Sequence, residues 1–145
     1  MIFESTSIDK FCPTLRYDFK FTKHKAGFLI DVLVISFHGK YRNGSAGHPD
    51  AGLISGIFKL GVEVFDPFSV LVDISGLEYE WGDDLNLIFP DDNCANIVVL
   101  VGNKCRRAIS TLLFGLDTDK DIVDNDYFFD DFDKAISKLN ERHLS

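Results

Sequence analysis

No run of apolar residues approaches the roughly 18 that a membrane-spanning helix requires. The opening MIFESTSIDK lacks the basic start and apolar centre of a signal peptide. A cytoplasmic location is therefore expected. The cysteines, Cys12, Cys94 and Cys105, are odd in number and form no CxxC pair, which fits free thiols in a reducing compartment. His24, His38, His48 and His143 show neither HExxH nor HxH spacing, and no Cys/His pair has the spacing of a zinc site. A GxSxG nucleophile elbow and the glycines of a P-loop are missing as well. These absences predict a protein without metal, cofactor or catalysis. Positive charge is also short: 15 Lys and Arg against 23 Asp and Glu leave a formal charge of -8. Such a surface disfavours nucleic acid and anionic membranes and steers basic protein partners.

What is present is a chain built to fold. At 145 residues, 46% hydrophobic with 14 phenylalanines, one domain with a substantial core is expected. Residues 1–13, ending at Pro13, are an arm or short extra element, and residues 14–145 form the domain. Leu15, Tyr17, Phe19 and Phe21 alternate with Arg16, Asp18 and Lys20, the period of a half-buried strand. A turn at His24–Gly27 and a more apolar strand over 28–37 complete a hairpin. Pro49 and Asp50 open a helix whose inward stripe is Ile54, Ile57, Phe58, Gly61, Val64 and Phe65, and Asp66-Pro67 ends it. Strands at 69–74 and 97–101 follow, with a short helix expected within 83–89. The next helix turns Ala108, Ile109, Leu112 and Leu113 inward before Gly115. Ile122-Val123 is expected as a very short strand, and a last helix over 127–143 buries Phe128, Phe132, Ala135, Ile136 and Leu139. The order implies an α/β fold: a mixed β-sheet opening with a β-hairpin, then alternating helices and strands, helices mainly on one face.

Three stretches then carry a family resemblance. They are the strand VLVISFHG (32–39), VLVDISGLEY (70–79), and IVVLVG followed by a helix, FGLD, Ile122-Val123 and a final amphipathic helix. Together, over about 17–139, the chain resembles a STAS domain, the sulfate-transporter and anti-sigma-factor-antagonist family. The resemblance implies a non-catalytic module that binds a protein or a small ligand. The family's switch proteins carry a phosphorylatable serine after the third strand. Here the matching Glu80-Trp81-Gly82-Asp83-Asp84-Leu85 contains no hydroxyl, so a kinase-controlled switch at that point is chemically excluded.

Candidate sites gather where the strands end, because ligands dock outside the carboxyl ends of strands in open α/β sheets. Trp81 stands among Glu78, Tyr79, Glu80, Asp83 and Asp84: either an aromatic anchor with an acidic rim, or a ring folded back over the sheet. Adjacent Asp83 and Asp84 alone make a weak catalytic pair, and a helix N-cap accounts for one of them. Lys104, Arg106 and Arg107 crowd a helix start, where each exposed cation opposes the dipole by about 0.3–1 kcal/mol. The cluster is either an anion grip or solvated charge. Cys105 beside Arg106 is either a thiolate of lowered pKa or a small buried side chain. Asp117, Asp119 and Asp121 begin an EF-hand-like spacing that fails at Ile122 and Phe128. With Asp130, Asp131 and Asp133 they form an acidic stretch suited to a basic partner, or a solvated loop and helix cap.

The leading expectation is an acidic protein-binding module, of the kind seen in inhibitors and immunity proteins that set carboxylates into a nuclease's phosphate site. Its partner surface would comprise Glu78, Tyr79, Glu80, Trp81, Asp83, Asp84, Asp130 and Asp131. A STAS-like signalling regulator and a small-molecule protein or enzyme using Arg106/Arg107 are the alternatives. A homodimer through an exposed edge of the opening hairpin is also open.

Overall fold

A computed structural model describes residues 1–22, 31–82, 85, 96–115, 118–124 and 127–144. Its elements are α1 (Ile8–Phe11), β1 (Leu15–Thr22), β2 (Val32–Lys40), a 3-10 turn (Gly44–Gly47), α2 (His48–Phe65), β3 (Ser69–Glu78) and β4 (Ile97–Val101). After these come α3 (Arg106–Phe114), a 3-10 turn (Ile122–Asp124), β5 (Phe128–Phe129) and α4 (Phe132–Leu144). The five strands form one sheet in chain order. β1 and β2 are antiparallel, and every later pairing is parallel, which gives the mixed α/β sheet expected from the sequence.

The strands' side chains alternate between two cores. Leu33, Ile35 and Phe37 of β2, with Val70, Val72 and Ile74 of β3 and Ile97, Val99 and Val101 of β4, face α2 and α3. The intervening Val32, Leu71, Val98 and Leu100 meet Ala135, Ile136 and Leu139 of α4. Helices therefore cover both faces: α2 and α3 lie on one side as expected, and α4 packs on the other. The reason is visible in β3 and β4. Their continuous apolar runs bury both faces, as central parallel strands must. Asn96 ties the layers together, donating to Ser69 Oγ at 2.8 Å and to the Leu139 carbonyl at 2.9 Å.

α2 begins with Pro49 in its first turn, where the missing N–H costs nothing. It stops at Asp66, which takes a left-handed φ of 46° and donates its N–H to the Val62 carbonyl, with Pro67 preventing continuation. Gly61 lets this helix approach the sheet, since a Cβ there would sit 2.7 Å from the Phe19 ring. Val64, expected inward, is 64% exposed, and Phe65, also expected inward, is part-exposed at the edge, its ring against Phe19 of β1. An apolar cleft of about 680 Å³ separates α1 from α2, lined by Ile8, Phe11, Leu53, Ile57 and Leu60 among others.

The C-terminal part departs most from expectation. Ile122-Val123 is a 3-10 turn, and the edge strand is Phe128–Phe129, read above as the start of the last helix. Phe132 is correspondingly exposed. The turn expected at 24–27 and the short helix within 83–89 lie outside the described residues, apart from Leu85, which is buried.

Candidate functional site

The carboxyl ends of β2, β3 and β4 meet along one edge of the sheet, and two corners form there. The first is built on two tyrosines. Tyr41 follows β2, is fully buried, and donates its N–H to the Glu78 carbonyl at 2.9 Å. Its ring meets Tyr79 edge-on, 5.1 Å between centroids. Tyr79 is 2% exposed, and its hydroxyl donates to the Gly82 carbonyl. Tyr79 thus supports the loop from below and offers no surface to a partner.

Next to Tyr41, the Arg42 guanidinium grips Asp50, with Nε to Oδ2 at 3.0 Å and Nη2 to Oδ1 at 2.9 Å. The Arg42 N–H adds a third bond to Oδ2, and Nη2 also donates to the Phe11 carbonyl. Asp50 is wholly buried, and its hydrogen bonds push the Arg42 pKa up. This buried pair locks the loop after β2 to the first turn of α2 and to α1. Cys12 joins the same corner, its thiol donating to the Pro49 carbonyl at 3.2 Å, with its pKa pushed up by burial and then by Asp50.

Trp81 stands on this platform. Its carbonyl accepts the Gly44 N–H at 3.4 Å, and Asn43 Nδ2 donates to Glu80 Oε2 at 3.2 Å. Gly44 has φ 63°, and a Cβ there would come within 2.6 Å of the indole. Trp81 is nonetheless 61% exposed as a residue. Of the two readings of this tryptophan, the exposed one describes the molecule. Asp83 and Asp84 lie outside the described residues.

The second corner holds the cations, and each already has a protein partner. Lys104 Nζ pairs with Glu78 at 3.0 Å. Arg106 clasps Asp121 through Nε at 2.8 Å and Nη2 at 2.6 Å, and reaches Asp130 through Nη1 at 2.8 Å. Arg107 donates to the Thr118 carbonyl at 2.8 Å. The hydrogen bonds to Asp121 raise the Arg106 pKa further, and Arg106 in turn lowers that of Asp121. At the start of α3, Lys104 and Arg106 are therefore paired with carboxylates of the chain, which offsets part of the dipole penalty, while Arg107 bonds only a backbone carbonyl. Asp130 belongs to this network. Asp131 accepts the Lys134 N–H at 3.0 Å and caps α4.

Cys105 is 1% exposed, and its thiol points at the carbonyls of Ile74 and Gly102. Burial raises its pKa, so the neighbouring Arg106 does not produce a thiolate there. Among the described residues no three His, Cys, Asp or Glu side chains gather as a metal site. Among them, too, no helix is long and apolar enough to cross a membrane.

Sequence reasoning found Trp81 but missed what holds it. Asn43 and Glu80, like Gly44 and Trp81, are 37 positions apart, and only strand pairing joins them. The one local signal was Asn43-Gly44, two residues beyond the end of β2. No protein-family model, curated protein or solved structure matches the chain.

Proposed function

We propose that this chain is a non-catalytic, acidic protein-binding module whose anchor is Trp81. The observation that carries this reading is a tryptophan 61% exposed on a loop tied to the neighbouring loop and the sheet. Large aromatics that are exposed yet held rigidly bind with little loss of conformational entropy, and they dominate interface hot spots. Charge supports a basic partner. Arg42, Lys104 and Arg106 are each paired with carboxylates of the chain itself, and 23 Asp and Glu against 15 Lys and Arg leave a net charge of -8. An inhibitor or immunity protein facing a nuclease-like target would use such a surface, with Glu80 at the rim of the indole.

The test is capture from native lysate with wild type and Trp81→Ala, at low and at moderate salt. The expected result is a basic protein retained by wild type, best at low salt, and lost with Trp81→Ala at an unchanged melting temperature. Equal retention by the variant would sink the anchor reading.

The hairpin-led, otherwise parallel sheet also supports a STAS-like partner-binding regulator without its serine. On that reading, incubation with kinase and ATP leaves no phosphate near Gly82, where Tyr79 is the nearest hydroxyl. Phosphate found there would overturn it.

A further inference from the structure

We propose that two copies of this chain associate by exchanging residues 1–3, the apolar Met1-Ile2-Phe3 of each seating in the cleft between α1 and α2 of the other. This goes beyond the Trp81 reading and does not depend on it.

The cleft is open and apolar. Across its volume of about 680 Å³, Ile8 and Phe11 of α1 face Leu53, Ile57 and Leu60 of α2. Ile8, Phe11 and Leu60 remain 56%, 59% and 52% exposed. Glycine provides the room. At Gly52 and Gly56 an added Cβ would meet nothing within 4 Å, so these positions widen the cleft and serve no close packing contact. The polar side chains lining it are Thr6, Ser7 and Cys12, and none carries a charge. The Cys12 thiol already donates to the Pro49 carbonyl. A charged occupant would therefore lose its water without gaining a partner, whereas an apolar one gains by burial on every side.

The same chain carries the matching piece. Met1, Ile2 and Phe3 are 107%, 88% and 89% exposed, three consecutive large apolar residues left in water. Exposed apolar surface of this kind marks an interaction site. Within one copy the segment is turned from its own cleft. Ser7 is extended, with φ -148° and ψ 162°, and Lys10 Nζ holds the Ser5 carbonyl at 3.1 Å. Lys10 lies on the side of the α1 turn opposite Ile8 and Phe11, so this bond draws the segment off the lined side. Entering its own cleft would require a reversal across Glu4-Ser5, which contains neither glycine nor proline. A second copy meets no such constraint. A two-fold axis beside α1 uses the segment and the cleft of both copies, so the contact is isologous and closes. Charge agrees at the margin. Glu4 is exposed directly behind Phe3, and Lys59 is exposed beside Leu60 at the rim of the cleft.

The experiment is light scattering on the size-fractionated full chain at moderate salt, which screens the net charge of -8. Wild type is expected at twice the chain mass. Phe3→Asp puts a charge on the inserting residue, and Gly56→Leu fills the cleft, so each alone should weaken the dimer about tenfold or more. Gly56→Leu adds a side chain to open space on a helix, where leucine is the better former. Its melting temperature should therefore equal or exceed that of wild type. Mixed in equal amounts, the two variants regain one of the two contacts, because the intact segment of Gly56→Leu fits the open cleft of Phe3→Asp. The mixture should accordingly dimerise more than either variant alone. A monomeric wild type, single variants that dimerise as well as wild type, or a mixture no different from its parts would each overturn the proposal.

Discussion

The two corners at the carboxyl edge of the sheet are built from similar parts and end in opposite states. Both place an arginine beside aspartate, and both join segments distant in sequence. At the Arg42 corner the aspartate is buried and the arginine reaches down to it, while Trp81 on the neighbouring loop faces outward. At the Arg106 corner both partners are part-exposed, and the pairing occupies the cation that was a candidate for gripping an anion. A charged cluster conspicuous in sequence can thus be structural, while the open site rests on residues that attract no notice.

Breaking the Arg42 corner should have the largest effect. Arg42→Ala strands the Asp50 carboxylate without its partner at a site with no exposure, a change expected to cost about 3–5 kcal/mol. The urea midpoint reads it directly, and a loss below about 1 kcal/mol would show the pair to be incidental. Gly44→Ala sharpens the comparison, since it strains a positive φ and pushes on the indole. It should cost about 1–2 kcal/mol and shift the emission of the only tryptophan. An unaltered spectrum would mean that Gly44 does not position the ring.

The Arg106 corner should respond least, and in a pH-dependent way. Arg106→Ala removes a part-exposed network worth about 1 kcal/mol near neutral pH. Asp121 has its pKa lowered in the folded protein by Arg106, so its contribution is full above the ordinary value of 3.8 and is lost as pH falls through the lower, folded value. The stability gap between wild type and variant should therefore narrow in acid below that ordinary value. A gap that stays constant or widens there would show that Asp121 is not the coupled group.

The elements themselves were largely legible in the sequence. α2 runs from His48 to Phe65, where Pro49 and Asp66-Pro67 set its limits, and β4 is the apolar run Ile97–Val101. These signals are local. The side of the sheet taken by α4 was not legible, because a strand buried on both faces shows no alternation to assign. Phe128-Phe129 was mistaken for helix because two aromatic residues fit either period, and its pairing with Val99 and Leu100 decides the matter. At the site, the acidic, aromatic loop marked Trp81 but left open whether its ring faces solvent or folds back over the sheet, and only the structure places it outward. The fate of Arg106 was not legible either, because Asp121 and Asp130 reach it only after the chain has turned back through the 3-10 segment.

The unequal edges of the sheet carry one more consequence. β1 runs for eight residues, while β5 at the far side runs for two, too few to template another strand. The described sheet is therefore polar from side to side: one flank ends in a long strand and the other in a stub, so its two margins are not interchangeable.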